Sequence, residues 1–390
     1  MYVLRNCHLI PELTEGTSLT EADLLIDGAY IKEIAPCGTA FESLEKEIDM
    51  EHMTVMPGLI DAHVHLRMMG GGMQASQDDI PAVTLDELRF AQWLLDNGYT
   101  TVRDVGDNKA CPSIALRDYI DAGKIQGPRL FCSGPTLTPS DRGMQKPYSS
   151  GHHYKVDSPM EMRHYARHNF MMGADFIKLY GTSSAIARRG GTPGSQIMAV
   201  DEMEAAVEVA TRKNTYCAIH CHGGEACENA ARVGVRTIEH ATFIEPETLK
   251  YLETRKAEGH GIVITISVVK DNSWGTIPDS VYQGAVRHLK GADQYDILIG
   301  WGTDTSWDFY QKHPYREFEM RKNDLGFSNI NILKQATINT AVLINQGEKI
   351  GSVKAGKYAD LIAVNGDPAA DITAMYHKPI HVIKEGQLIR

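Results

Sequence analysis

The chain has 390 residues, 43% of them hydrophobic, which is more than one small core needs and fits a large barrel with a modest second module. A formal net charge of -11, a pI near 5.8 and no dense run of Lys or Arg leave no footprint for a phosphate backbone, so nucleic acid is not an expected partner. No stretch approaches ~18 uninterrupted apolar residues and the amino terminus lacks a basic start followed by an apolar core, so neither a membrane span nor a secretion signal is expected.

In chain order, residues 1–53 alternate short apolar runs with turns (YVLRNCHLI, then ADLLIDGAYIKEIAP), and Asp27-Gly28 marks a hairpin. From 54 to 345 the pattern changes to β-branched runs separated by longer helix-like segments, as parallel βαβ construction requires. The candidate strands are VMPGLIDAHVHL, TTVRDVG, PRLFCSG, FIKLYG, YCAIHCH, TIEHATF, GIVITIS and ILIGWGTD, the eight that a closed barrel needs. LDELRFAQWLLDNG, SPMEMRHYARHNFMMG and DEMEAAVEVATRKN predict helices, the first two stopping at Gly98 and Gly173. Residues 346–390 return to short strands, GSVKAGKYADLIAVNGD and IHVIKEGQLI, with Glu385-Gly386 as a turn. The predicted fold is α/β: a (β/α)8 TIM barrel over 54–345 with a small β-sandwich module built from both chain termini, 1–53 and 346–390.

The seven cysteines (Cys7, Cys37, Cys111, Cys132, Cys217, Cys221, Cys227) lack zinc-ribbon or C-x-x-C spacing and suit a reducing cytoplasm. Cys221, between His220 and His222, reads as a small buried hydrophobe. His63 and His65, one residue apart on an apolar strand, project from the same face and can grip one metal ion, with Asp61 on that face as a carboxylate behind them. Lys178, His220, His240 and Asp304 each fall at or near the carboxyl end of a different candidate strand, the rim where barrel enzymes keep their sites. Each has a structural reading taken singly: satisfied buried histidines, a snorkelling lysine, a turn-forming aspartate. His222 shares a face with His220 if the strand persists, and could donate a hydrogen bond to a carbonyl oxygen.

These segments resemble the amidohydrolase superfamily, within it the imidazolonepropionase-like and prolidase-like metal-dependent dipeptidases. PGLIDAHVHL looks like the first-strand motif, GYTTVRDVG the second, GADFIKLYG the segment of a carboxylated lysine, HCHGGEA and TIEHAT the fifth and sixth strands, GTDT the eighth, and KAGKYADLIAVNGDP the tail. The resemblance implies a cytoplasmic hydrolase with two divalent metal ions, by default zinc. His63, His65 and Asp304 would hold the more buried ion and His220 and His240 the other, with Lys178 bridging as a carbamate. An ammonium between two cations is repelled, whereas a carbamate offers an oxygen to each. A water between the metals then becomes a hydroxide nucleophile, and Asp304 takes its proton and passes it to the leaving amine.

The implied substrate is a dipeptide (Xaa-Pro or carboxypeptidase-like) or an N-acyl amino acid, with Arg188, Arg189, Arg142 and Tyr180 as substrate-binding candidates. Arg188 and Arg189 suit a terminal carboxylate, which a guanidinium pairs with bidentately. Relatives often carry Gly-Gly-His after the third strand; here TLTPSDRGMQ (136–145) puts Arg142 there, with His152 and His153 nearby. Two alternatives stand beside this: a cyclic or aryl amide hydrolase (imidazolonepropionase-like or mycotoxin-amidase-like) on the same metals, and a non-catalytic scaffold. A homo-oligomer is expected.

Overall fold

The computed structural model describes residues 1–67, 79–141, 153–184, 194–271 and 277–390. All eight expected barrel strands form: Leu59–Val64, Tyr99–Asp104, Arg129–Cys132, Ile177–Tyr180, Cys217–Gly223, Thr237–Phe243, Gly261–Ile264 and Leu298–Trp301. They pair in parallel and in chain order, as βαβ units do, but in two sheets. The first three make one; the other five make a second, which adds the short strands Thr136–Thr138 and His153–Lys155 at its edge. Hydrogen bonds link the two at both flanks, from the Asp175 amide to the Cys132 carbonyl and from the Asp304 amide to the His63 carbonyl, each 2.8 Å. The architecture is thus a parallel α/β layer of the TIM-barrel kind, with the expected single sheet divided in two.

Helices follow the strands. Ile80–Asp96 buries Val83, Glu87, Phe90, Ala91, Leu94 and Leu95, the 3.6-residue stripe that its sequence predicts. Its start is capped by the Asp79 side chain, which accepts from the Ala82 amide, and Gly98 beyond its end takes a φ of +92°. Pro159–Met171 likewise has Ser158 as its N-cap and Gly173 past its end. Val200–Thr211 is the third predicted helix.

Strands from both ends of the chain form one hydrogen-bonded sheet of eight. Its path runs Gln387–Leu388, His381–Lys384, Leu361–Val364, Thr54–Pro57, Tyr2–Leu9, Glu21–Asp27 and Tyr30–Ala35, with Lys46–Asp49 pairing beside Tyr2–Leu9. Asp27-Gly28 joins an antiparallel pair as expected. Glu385 and Gly386, at φ +50° and +71°, make the tight turn between the last two strands. Leu4, Leu9, Leu24, Ile26, Val55, Leu361 and Ile383 give this module a core of its own. The chain passes from this sheet to the first parallel strand at Gly58, where a Cβ would lie 2.1 Å from Thr100 Oγ1, so only glycine fits. Among the described residues no helix is long and apolar enough to cross a membrane.

Candidate metal centre

His63 stands near the end of the strand Leu59–Val64 and His65 just past it, their rings 5.7 Å apart and facing Asp304. Nε2 of each histidine is 3.7 Å from the same oxygen, Asp304 Oδ1. That is too long for a hydrogen bond. It is close to the separation of roughly 3.4 Å between ligands that share one ion in a tetrahedron through bonds of about 2.1 Å. The ligand atoms of His63, His65 and Asp304 all fall within 4.8 Å of one another.

The other imidazoles crowd the same rim. His240 sits 4.6 Å from His63, 4.5 Å from His220 and 5.0 Å from His222, centroid to centroid. Lys178 is 1% exposed, and its charge acts on His63, His222, His240 and Asp304. The structure therefore brings together all six residues for which metal binding is expected.

The rings of His63, His65, His222 and His240 are tied back through Nδ1. His63 Nδ1 meets Glu239 Oε2 at 2.7 Å, and His65 Nδ1 donates to the Gly106 carbonyl at 3.1 Å. His222 Nδ1 meets Thr242 Oγ1, and His240 Nδ1 meets Thr265 Oγ1, both at 2.8 Å. Nε2 of His222 and of His240 is buried with no hydrogen-bond partner among the described residues. Bare buried nitrogens are costly unless a partner meets them, a metal ion for a lone pair or a substrate atom for an N–H. The donor set, neutral imidazole plus carboxylate, fits zinc and similar divalent ions.

The electrostatics agree. Burial, then the Lys178 charge, pushes the His63 imidazole well below its usual pKa and that of His222 down to about 4. For His240 the causes are burial, then His63, His222 and Lys178. All three are neutral at neutral pH, the form that ligates. Burial raises the Asp304 carboxyl to about 8, with Lys178 pulling the other way. A cation beside it would return it to the charged form.

Two local departures from regular strand build the site. In register, Glu239 is paired with His220 and Val263, so it faces inward with His220, and simple alternation would send His240 outward. His240 and Ala241 instead take φ of +70° and +49°, next to a break in register between Cys221 and Gly223, and this kink turns the imidazole back to the rim. Asp304 also has a left-handed backbone, φ +52°. Such residues cost about 1–3 kcal/mol each and cluster at functional sites.

Asp61 is a correction to the expected arrangement. Its carboxyl does not reach an imidazole; it accepts from the His63 amide (3.1 Å), the Thr303 amide (3.2 Å) and Thr303 Oγ1 (2.7 Å). It braces the backbone of His63 and Thr303, and the carboxylate behind His63 is Glu239. Sequence reasoning missed Glu239, Thr242 and Thr265; only Glu239, beside His240 in TIEHAT, carried a signal. Cys221 is buried as expected, its Sγ 3.1 Å from that of Cys227.

Of the substrate-side candidates, Tyr180 is half-buried and stacks on His220 at 3.9 Å, with the His153 ring 6.4 Å beyond it. Arg142, Arg188, Arg189 and His152 lie outside the described residues.

Comparison with known proteins shows what the whole chain is similar to. The family profile described as "Amidohydrolase family" matches residues 54–389. Ochratoxinase from Aspergillus niger is 27% identical, over 96% of this chain and 84% of its own. Among solved structures, a Xaa-Pro dipeptidase with bound methionine in the active site superposes with a TM-score of 0.84 at 28% identity, covering 100% of this chain and 99% of that one. A prolidase complexed with N-methylphosphonate-L-proline does so at 0.86 and 25%, with the same coverage of each chain.

Proposed function

Since the chain belongs to the amidohydrolase family and is a hydrolase of amide bonds, we propose that it cleaves a dipeptide or N-acyl amino acid at a centre of two divalent ions, with zinc as the default metal. The observation that carries the proposal is the convergence of the ligand atoms of His63, His65 and Asp304 within 4.8 Å of one another, with the bare, buried Nε2 of His240 beside them. His63, His65 and Asp304 would hold one ion, His220 and His240 the other, and Lys178, as a carbamate, would bridge them. When bound, such ions polarise a carbonyl and lower the pKa of water toward neutrality.

The chain's own groups do the rest. The Asp304 carboxylate accepts the proton of the attacking water and returns it to the amine nitrogen, which leaves poorly unless protonated. His222, neutral and fixed at Nδ1, offers Nε2–H to the substrate carbonyl oxygen when the Thr242 hydroxyl is the donor in their hydrogen bond. Tyr180 pins the His220 ring by stacking. Lys178 becomes a carbamate when its neutral amine attacks carbon dioxide: an N–C bond forms, the nitrogen loses a proton, and the charge at that position turns from positive to negative. Arg142, Arg188 and Arg189 are the candidates for the substrate's carboxylate.

Likeness to the prolidase and the Xaa-Pro dipeptidase supports a free carboxylate on the leaving amine, since the L-proline of N-methylphosphonate-L-proline carries one. A second reading, an aryl or cyclic amide hydrolase, is supported by the likeness to ochratoxinase. A panel of Xaa-Pro dipeptides and N-acyl amino acids, each paired with its C-terminal amide, separates the two. The free acids should exceed the amides in kcat/KM by about 10- to 100-fold, the worth of a charge-assisted hydrogen bond. Equal turnover of both sets removes the carboxylate from the substrate definition and leaves the second reading.

A further inference from the structure

We propose that Glu239, clamped by Arg103, is a positioning residue that sets the tautomer and tilt of His63 and thereby the affinity of the rim for a divalent cation; this rests on the metal-hydrolase reading above. Both side chains are fully buried at the inner end of the site. Arg103 Nη2 donates to Glu239 Oε1 at 2.7 Å, its Nε to the Ala62 carbonyl at 2.6 Å and its Nη1 to Thr237 Oγ1 at 3.1 Å. Its guanidinium lies over the Phe176 ring, 5.2 Å from the centroid. Thr237 Oγ1 donates to Glu239 Oε1 at 2.5 Å. One carboxylate oxygen is thus taken by Arg103 and Thr237, and the other, Oε2, is left for His63.

The consequence is chemical. A carboxylate paired with a buried arginine only accepts hydrogen bonds, so the hydrogen of His63 must sit on Nδ1 and the lone pair of Nε2 must face Asp304. His222 and His240 are tied to threonine hydroxyls, which donate or accept, and His65 to a neutral carbonyl. Among these four imidazoles, His63 alone is held by a charged acceptor. A carboxylate behind a ligating histidine fixes the ring and raises its basicity. A buried ion pair is seldom retained for stability alone, because apolar residues of the same volume hold a core as well or better. The Arg103–Glu239 pair lies directly behind a candidate ligand, having fixed Ala62 of the same strand.

The test compares the wild-type protein with the double variant Arg103→Met, Glu239→Gln, which leaves no unpaired buried charge and keeps the volume near Glu239. Fold is followed by circular dichroism and thermal midpoint, Zn2+ affinity of the metal-free proteins by competition with a chromogenic chelator, and the His63 tautomer by 15N NMR of the metal-free wild type. The expected results are a Nδ1-protonated His63 in the wild type and a loss of about 10- to 100-fold in Zn2+ affinity in the variant. Equal affinity in a folded variant overturns the inference while the metal-hydrolase reading stands. An Nε2-protonated His63 in the wild type overturns it even if the variant does not fold. Failure of the wild type to bind Zn2+ removes the metal-hydrolase reading and this inference with it.

Discussion

Asp304→Asn should lower kcat by at least about 100-fold and as much as 10,000-fold, the range spanned by loss of a general acid–base group, while the protein stays folded. The substitution isolates chemistry from structure. Asn is one of the few residues that accepts the left-handed backbone found at 304, where φ is +52°. The amide of residue 304 still reaches the His63 carbonyl, and Asp61 still braces Thr303. What disappears is a negative charge 3.7 Å from two imidazole nitrogens, and with it a group able to take a proton from water and release it to an amine. Steady-state kinetics on the best substrate of the panel, with a thermal melt alongside, checks this. Turnover within tenfold of wild type would remove Asp304 from the mechanism.

Lys178→Met should be as damaging by another route. Lys178 is 1% exposed, and as an ammonium it works against cation binding at the four groups its charge reaches. As a carbamate it turns from a repelling charge to a shared ligand. The methionine variant should therefore bind less metal and lose at least about 100-fold in kcat/KM, the upper end of what loss of a group merely supporting a ligand costs. A carbamate at Lys178 should also make activation depend on carbon dioxide. Metal-free wild-type protein, given Zn2+ in buffer stripped of carbon dioxide, should regain activity far more slowly than with bicarbonate added. Equal recovery in both buffers, or a fully active methionine variant, speaks against the bridging carbamate.

The eight parallel strands are legible in the sequence because each is a short β-branched run bounded by a turn and followed by a helix-length segment. The helix Ile80–Asp96 is legible because its apolar residues recur with helical spacing after an aspartate cap. His63 and His65 can be placed on one face by strand alternation alone, and the structure has them facing one oxygen. His240 cannot. Alternation would put Glu239 inside and His240 outside, and His240 reaches the site only because the backbone kinks at His240 and Ala241. No local composition signals that kink; tertiary packing imposes it. Asp61 is misassigned for a related reason, since sharing a face with His63 says nothing of whether the side chain meets the ring or folds onto backbone amides. Glu239 and Arg103 come from strands far apart in sequence, and a contact across 136 positions has no local signature.

Metal analysis of the purified protein, joined to turnover, bears most directly on a rim of histidines built to hold cations for amide hydrolysis. A near-stoichiometric pair of divalent ions per chain should be found. Turnover should vanish when a chelator strips them and return when Zn2+ or another divalent ion is restored with bicarbonate. Protein that is free of metal yet hydrolyses amides at full rate, or that stays inert whatever ion is supplied, would contradict it.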